Sequence, residues 1–163
     1  MFQPGAVGDL PKPELYRELR QQLEALLSGE RNAVANCANT AALIFHALPE
    51  VNWVGFYILR GNELVLGPFQ GQPACVRIPV GQGVCGTAVA ERKTLRVDDV
   101  FAFPGHIACD TASRSELVVP LVKNRVIIGV LDIDSPLPAR FDAVDQDGLE
   151  RIAAIFMAAT EFA

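Results

Sequence analysis

Cysteines and carboxylates are the residues in the middle of this chain that could do chemistry. The chain has four cysteines, and three of them fall in its central part: Cys75, Cys85 and Cys109. Gly and Pro surround two of these, in segments where the backbone can approach a small ligand closely and a thiol need not be buried. Further carboxylates follow downstream at Glu116, Asp132 and Asp134. Thiols and carboxylates on one scaffold indicate thiol redox chemistry on a charged small molecule.

The composition limits the partners and the location of the protein. Its 163 residues are enough for one domain with a substantial core. The formal net charge is −5 without a basic patch, which argues against nucleic acid or an anionic membrane as a partner. No apolar run is long enough to span a bilayer, and the N-terminus has no signal-peptide pattern. We therefore expect a cytoplasmic protein, in a reducing compartment where free cysteines are more often catalytic or ligating than structural.

Helical patterns lie at the two ends of the chain. We expect residues 1–12 to form a flexible N-terminal arm and residues 13–163 to form a single domain. Leucines at helical spacing predict a first helix that begins at Pro13 and ends at Gly29. A second helix is predicted over residues 32–48, with Cys37 on its apolar stripe as an inert core residue. A third helix is predicted to begin near Asp142.

Between the helices the apolar residues alternate, which is typical of strands. The predicted strands cover residues 51–60, 63–69, 75–79, 94–98, 116–122 and 126–134. A short helix is predicted over residues 85–92, and residues 99–114 read as a long loop of the kind that is usually functional. This order predicts an α+β fold with about six strands in a mostly antiparallel sheet, flanked by two N-terminal helices and one C-terminal helix.

Six motifs in order resemble one known family. They are NWVGFY at 52–57, GPFQG at 67–71, GVCGTA at 83–88, FPGHIACD at 103–110, SRSE at 113–116 and GVLDIDS at 129–135. Together they are similar to the free methionine-(R)-sulfoxide reductases, which are single-domain enzymes of the GAF fold. The resemblance implies reduction of free methionine R-sulfoxide, with electrons that come from NADPH through thioredoxin reductase and thioredoxin. It implies no bound cofactor, and it favours a homodimer, for which the two N-terminal helices could supply the contact face.

The reaction needs two thiols in different roles. A thiolate attacks the sulfoxide sulfur and keeps the oxygen as a sulfenic acid, and a second thiol then closes a disulfide that an external dithiol reopens. Cys109 is the expected nucleophile, both by its place on the long loop and by the resemblance. Cys75, which the pattern places on a strand, is the first choice as the resolving cysteine. Cys85 is the alternative or a second resolver, because spacing in the chain does not give distance in the fold.

The carboxylates have distinct expected roles. Asp132 and Asp134 alternate on one strand, so their side chains share a face. Two like charges side by side favour a cation between them, and the ammonium group of a free amino acid would serve. The alternative is a solvated face of an edge strand. The resemblance implies that Glu116 helps to bind the sulfoxide, where it would donate the proton if its pKa is raised; the alternative is an ordinary surface glutamate.

Two aromatic residues complete the predicted site. Trp53 and Tyr57 lie four residues apart on a strand and share a face, with Gly55 between them leaving space. Aromatic walls suit the thioether methyl group of the substrate. The alternative is an ordinary aromatic core.

Other functions use the same residues differently. The chain could be a GAF sensor module that binds a nucleotide or another small ligand, or a thiol redox sensor without turnover. A zinc site formed by the three cysteines and His106 is a further alternative. However, the chain has no C-x-x-C pair, and the wide cysteine spacings match no common zinc pattern, so we expect no metal site.

Overall fold

The computed structural model describes residues 1–163 and has an α+β architecture. Its helices and strands, in chain order, are α1 (Lys12–Leu26), α2 (Ala33–Ala47), β1 (Trp53–Arg60), β2 (Glu63–Gly71), β3 (Arg77–Pro79), α3 (Gly83–Glu91), β4 (Leu95–Val97), β5 (Ser115–Lys123), β6 (Val126–Ser135) and α4 (Ala143–Ala159). A single 3-10 turn at Val100–Ala102 interrupts the long loop. The predicted fold class is confirmed. No helix combines the length and the apolar character that crossing a membrane requires.

The six strands form one antiparallel sheet in the order β3-β2-β1-β6-β5-β4. Strand β6 therefore lies inside the sheet, between β1 and β5. The register places Asp134 beside both Trp53 and Glu116, and Asp132 beside Gly55. The alternative that the two aspartates decorate a solvated edge strand is wrong, because strands from both sides cover the backbone edges of β6.

Each face of the sheet has its own core. Alternate residues of β1, β5 and β6, including Phe56, Leu117 and Leu131, pack with α1, α2 and α4 in a cluster of 25 buried residues. The opposite side chains of the same strands, including Trp53 and Tyr57, pack with α3 in a smaller cluster of 11. Successive side chains of a strand point to opposite faces of the sheet. Because both faces are covered here, the central strands carry apolar residues on both. The smaller core carries the candidate site.

The N-terminal residues pack in part against the larger core. Val7 is buried at 5% exposure, and helix α1 begins at Lys12 with Pro at its first turn. Helix α4 begins after a capping box in which Asp142 and Asp145 each accept a backbone N–H of the other. These contacts fix the ends of the two helices that cover the larger core.

The placement of Cys75 on a strand is wrong. Strand β3 begins only at Arg77, and Cys75 lies in the loop that joins it to β2. Two long-range contacts hold Cys75 in this loop. Its carbonyl accepts a hydrogen bond from the Tyr57 hydroxyl at 2.9 Å, and its sulfur is bonded to Cys109. The short helix also begins two residues earlier than expected, at Gly83, so Cys85 lies inside its first turn.

Candidate active site

A cavity lies on the smaller-core side of the sheet, between the N-terminal turn of α3 and the loop that carries Cys109. Trp53 and Tyr57 form its wall, and Glu116, Asp132 and Asp134 line it from β5 and β6. The volume open to the centres of water-sized molecules is about 40 Å³, which is room for a few waters. All the predicted site residues line this cavity except Cys75, whose neighbour Ala74 does.

A disulfide joins Cys75 to Cys109 at the outer side of the cavity. The two Cα atoms are 5.2 Å apart although the residues are 34 positions apart in the chain. Both cysteines are partly exposed, unlike Glu116 and Asp132, which are buried. The bond ties the β2–β3 loop to the Cys109 loop, so these two thiols lie within bonding reach of each other.

Cys85 is a free thiol at the bottom of the cavity. It is buried, and its Sγ lies 3.7 Å from Oε1 of Glu116, to which it donates a hydrogen bond. Burial, together with the negative charges of Asp132 and Glu116, raises the pKa of this thiol well above its usual range. Cys37 is also free and buried, and burial alone raises its pKa to about 12. Cys37 is a residue of α2 and lies in the larger apolar core, as its place on the apolar stripe of that helix predicted.

The three carboxylates lie together because the register of β5 and β6 brings them onto one face. Glu116 and Asp132 are exposed by only 7% and 5%, and Asp134 is half-buried. The alternative that Glu116 is a surface residue is therefore wrong. No lysine, arginine or histidine forms an ion pair with any of the three.

Burial without a cation shifts the titration of this cluster. Burial first, and the charges of Asp132 and Asp134 second, raise the pKa of Glu116 well above its usual range. Burial raises the pKa of Asp132 to about 6. Burial and the charges of Asp132 and Asp110 raise the pKa of Asp134. These shifts favour the protonated forms of the carboxyl groups, which is the form that a proton donor needs.

The aromatic wall does more than line the cavity. Trp53 stacks on Tyr57 and on Phe69, with ring centroids 5.9 and 5.3 Å apart. The indole N–H of Trp53 donates to the Gln72 carbonyl at 3.0 Å, as the Tyr57 hydroxyl does to Cys75. The two rings therefore hold the loop that carries Cys75, a role that the sequence did not indicate.

The space expected at Gly55 is filled. A Cβ at this position would lie 2.4 Å from the Trp53 ring and 2.4 Å from Cβ of Phe69. The glycine is required because the Trp53 ring lies over its backbone. It does not open room for a ligand.

Sequence reasoning missed a group of polar residues beside Cys109. Asp110 and Ser113 line the cavity, and the side-chain amide of Asn52 donates to both at 3.4 Å. Asp110 also accepts the backbone N–H of Ala112 at 2.8 Å, which closes a tight turn after Cys109. The signal that could have found these residues is their place in the motifs at 52–57, 103–110 and 113–116. These contacts fix the base of the Cys109 loop.

The residues weighed as a zinc site do not act as one set, because the sulfurs of Cys75 and Cys109 are bonded to each other. A different set is close enough to hold a metal ion. One ligand atom each from Cys85, Glu116 and Asp132 lies within 4.8 Å of the others, and all three residues are buried.

Comparison with known proteins gives a consistent family. Residues 13–159 match the GAF domain family. The chain is 54% identical over 143 residues to the free methionine-R-sulfoxide reductase of Escherichia coli, covering 88% of this chain and 87% of that protein. It is 43% identical over 156 residues to the enzyme of the same name from Saccharomyces cerevisiae, covering 91% and 87%.

A solved structure gives the same result. The free methionine-R-sulfoxide reductase from Neisseria meningitidis, in complex with its substrate, superposes with a TM-score of 0.93. The sequences are 46% identical, and the match covers 98% of this chain and 95% of the other. Identity and coverage at these levels, over a fold whose cavity holds both thiols and carboxylates, show the family: the chain belongs to the GAF-domain free methionine-R-sulfoxide reductases.

Proposed function

We propose that this protein reduces free L-methionine (R)-S-oxide to L-methionine with a pair of cysteines that thioredoxin recycles. The observation that carries the proposal is the Cys75–Cys109 disulfide at the outer side of a cavity floored by buried carboxyl groups. The disulfide is the oxidised end state of a two-thiol cycle. The carboxyl groups are a proton source and a site for a positively charged group. Relatives named for this activity support the choice of substrate.

In the first step the Cys109 thiolate attacks the sulfoxide sulfur. The sulfur of the substrate gains an electron pair and leaves as the thioether of methionine. The oxygen, with one added proton, stays on Cys109 as a sulfenic acid, so the cysteine is oxidised by two electrons. Cys109 suits this role because it lines the cavity on a partly exposed loop, whereas Cys85 is buried and its pKa is raised.

Glu116 supplies the proton for the departing oxygen. Its carboxyl lies in the cavity wall and is buried, and its raised pKa favours the protonated form that a proton donor needs. The Cys85 thiol holds one of its oxygens in place. Reprotonation from the neighbouring carboxyl of Asp132 or from water prepares the site for the next cycle.

In the second step the Cys75 thiol displaces the hydroxyl of the sulfenic acid. One water leaves and the Cys75–Cys109 disulfide forms. A reduced thioredoxin then attacks this disulfide; its own dithiol is oxidised to a disulfide, and its two electrons return Cys75 and Cys109 to thiols. Cys75 is preferred over Cys85 as the resolving thiol because its sulfur is bonded to Cys109, while Cys85 remains free below.

The substrate would use the rest of the cavity for recognition. Asp132 and Asp134 attract the ammonium group of a free amino acid, which a residue inside a peptide lacks. Trp53 packs against the methyl group of the substrate. The cavity of the disulfide form is narrow, and reduction of the disulfide would free the Cys109 loop to move when the substrate enters.

A coupled assay tests the proposal. The protein is mixed with thioredoxin, thioredoxin reductase and NADPH, and NADPH consumption is followed with free L-methionine R-sulfoxide. Little consumption is expected with the S epimer or with the N-acetylated R sulfoxide, which has no ammonium group. Absence of turnover with the free R epimer would contradict the proposal and would favour a sensor module or a redox sensor without turnover.

A further inference from the structure

The floor of the cavity contains a thiol that neither attacks the substrate nor forms a disulfide in the proposed cycle. Cys85 is fully enclosed beside Glu116 and Asp132, and the donor atoms of the three residues lie within 4.8 Å of one another. The other free thiol, Cys37, has no such neighbours, because it lies in the large apolar core. Only Cys85 therefore combines a sulfur with two buried carboxylates.

One carboxylate oxygen in this group has no partner. Oδ1 of Asp132 is buried and accepts no hydrogen bond, although the side chain lines the cavity and the residue is only 5% exposed. A buried acceptor without a donor is unfavourable, and a buried carboxylate without a cation is more so. The arrangement therefore favours a positively charged ligand at this point.

Size and charge select the kind of ligand. The space open to the centres of water-sized molecules is about 40 Å³, which is enough for one metal ion with a bound water. Once a metal ion displaces their protons, the Cys85 thiol and the two carboxyl groups supply three protein ligands and three negative charges. Zn²⁺ takes Cys, Asp and Glu ligands in tetrahedral sites and leaves the fourth position to water, whereas Mg²⁺ and Ca²⁺ prefer oxygen alone.

We propose that Cys85, Glu116 and Asp132 form a binding site for Zn²⁺ at the floor of this cavity. This ligand set differs from the zinc set considered from the sequence, which consisted of the three cysteines and His106. Only Cys85 belongs to both sets. Binding of the ion would occupy the carboxylates that the substrate needs and would therefore exclude the substrate. This consequence rests on the proposed function, whereas binding itself does not.

Cobalt in place of zinc gives a direct test on the disulfide form. Co²⁺ bound to a thiolate absorbs light through charge transfer from sulfur, and in the oxidised protein only Cys37 and Cys85 have free thiols. Titration of the oxidised wild-type protein with Co²⁺ is expected to produce this band, which Zn²⁺ then removes by displacing the cobalt. The Cys37→Ser variant is the matched control and is expected to give the same band.

Two variants decide whether the site is the one proposed. Cys85→Ser is expected to lose the charge-transfer band. Asp132→Asn, which leaves the thiol in place, is expected to weaken Co²⁺ binding by about tenfold or more. A wild-type protein without the band, a band that persists in Cys85→Ser, or unchanged affinity in Asp132→Asn would each overturn the proposal.

Competition with substrate separates this proposal from the proposed function. In a Cys75→Ser, Cys109→Ser double variant no turnover is expected, and the thiols left are again Cys37 and Cys85. Free methionine R-sulfoxide is expected to displace Co²⁺ from this protein and to remove the band. A band that is present but insensitive to the sulfoxide would uphold the metal site and overturn the claim that ion and substrate compete.

Discussion

Two buried aspartates on opposite sides of the sheet have contrasting surroundings. Asp145, at the start of α4, is 1% exposed and is surrounded by donors. It accepts from Lys12 Nζ at 2.6 Å, from the Tyr16 hydroxyl at 2.8 Å and from Arg140 Nη1 at 3.3 Å. Asp132, in the candidate site, is almost as deeply buried but lies beside other acids, and one of its oxygens has no partner.

The contrast separates a structural charge from a functional one. At Asp145 the cost of burying a carboxylate is offset by two cations and a hydroxyl that belong to the fold. At Asp132 the fold supplies no cation, and only the side chains of Glu116 and Cys85 can donate to the carboxylate, so the site keeps an unfavourable charge that a ligand can stabilise. Sites that break a rule of folding in this way are expected where function, not stability, determines the residue.

The largest expected effect is on the functional side, at Glu116. We predict that Glu116→Gln lowers kcat by about 10²- to 10⁴-fold, because the amide keeps the shape but has no proton to donate. Because Glu116 must be protonated to act and burial raises its pKa, wild-type activity should fall as the pH rises through that pKa. Kinetics as a function of pH check both points; a kcat within a few-fold of wild type, with the alkaline decline intact, would remove Glu116 from the proton-donor role.

A smaller effect is expected on the structural side, at Asp145. We predict that Asp145→Ala lowers the free energy of unfolding by about 3–5 kcal/mol, since it leaves Lys12 and Arg140 without their carboxylate. Activity per folded molecule should remain close to wild type. The matched control is Asp147→Ala on the same helix, which removes only an exposed pair with Arg151 at 2.9 Å and should change stability by about 0.5 kcal/mol or less.

Urea unfolding measures both variants. A loss at Asp145 no larger than that at Asp147 would break the comparison, because it would mean that the buried network contributes no more than a surface ion pair.

The smallest expected effect is an increase in the free energy of unfolding, on substitution of Asp132. Its folded-state pKa of about 6 is above its unfolded value, so the folded protein binds this proton more tightly. Its contribution to stability is therefore complete at low pH and is lost as the pH rises from about 4 to about 6. We predict that Asp132→Asn increases stability at neutral pH by about 1–3 kcal/mol and removes this part of the pH dependence.

Unfolding of wild type and variant at about pH 4 and at about pH 7, with a chelator present, checks the prediction at Asp132. A variant that is less stable than wild type at the higher pH would contradict the view that this carboxylate is retained at a cost in stability.

Local patterns in the sequence were enough to predict the helices and strands but not which strands pair with one another. The alternation that places Asp132 and Asp134 on one face, and the helical stripe that buries Cys37, are properties of short segments. Whether β6 is central or at an edge depends on pairing with β1 and β5, which are distant in the chain. Burial of the carboxylates could not be predicted for this reason.

The same limit applies to the cysteines. Cys85 is nearer to Cys109 in the chain, yet Cys75 forms the bond, because Tyr57 and Trp53 hold its loop over the cavity. The sequence predicts a strand at Cys75 because the residues shortly after it form β3. The conformation of Cys75 itself is set by these long-range contacts. The unpartnered oxygen of Asp132 likewise has no sequence signal.

A single-turnover experiment tests the central claim, that Cys109 takes the oxygen and Cys75 closes the disulfide. Reduced wild-type protein, Cys109→Ser and Cys75→Ser are each mixed with free methionine R-sulfoxide without an external reductant, and the methionine released per chain is measured. We predict a full turnover for wild type and for Cys75→Ser, whose Cys109 sulfenic acid a sulfenic-acid-specific trapping reagent should capture, and none for Cys109→Ser. A full turnover by Cys109→Ser, or a trapped sulfenic acid on another cysteine, would contradict the proposed mechanism.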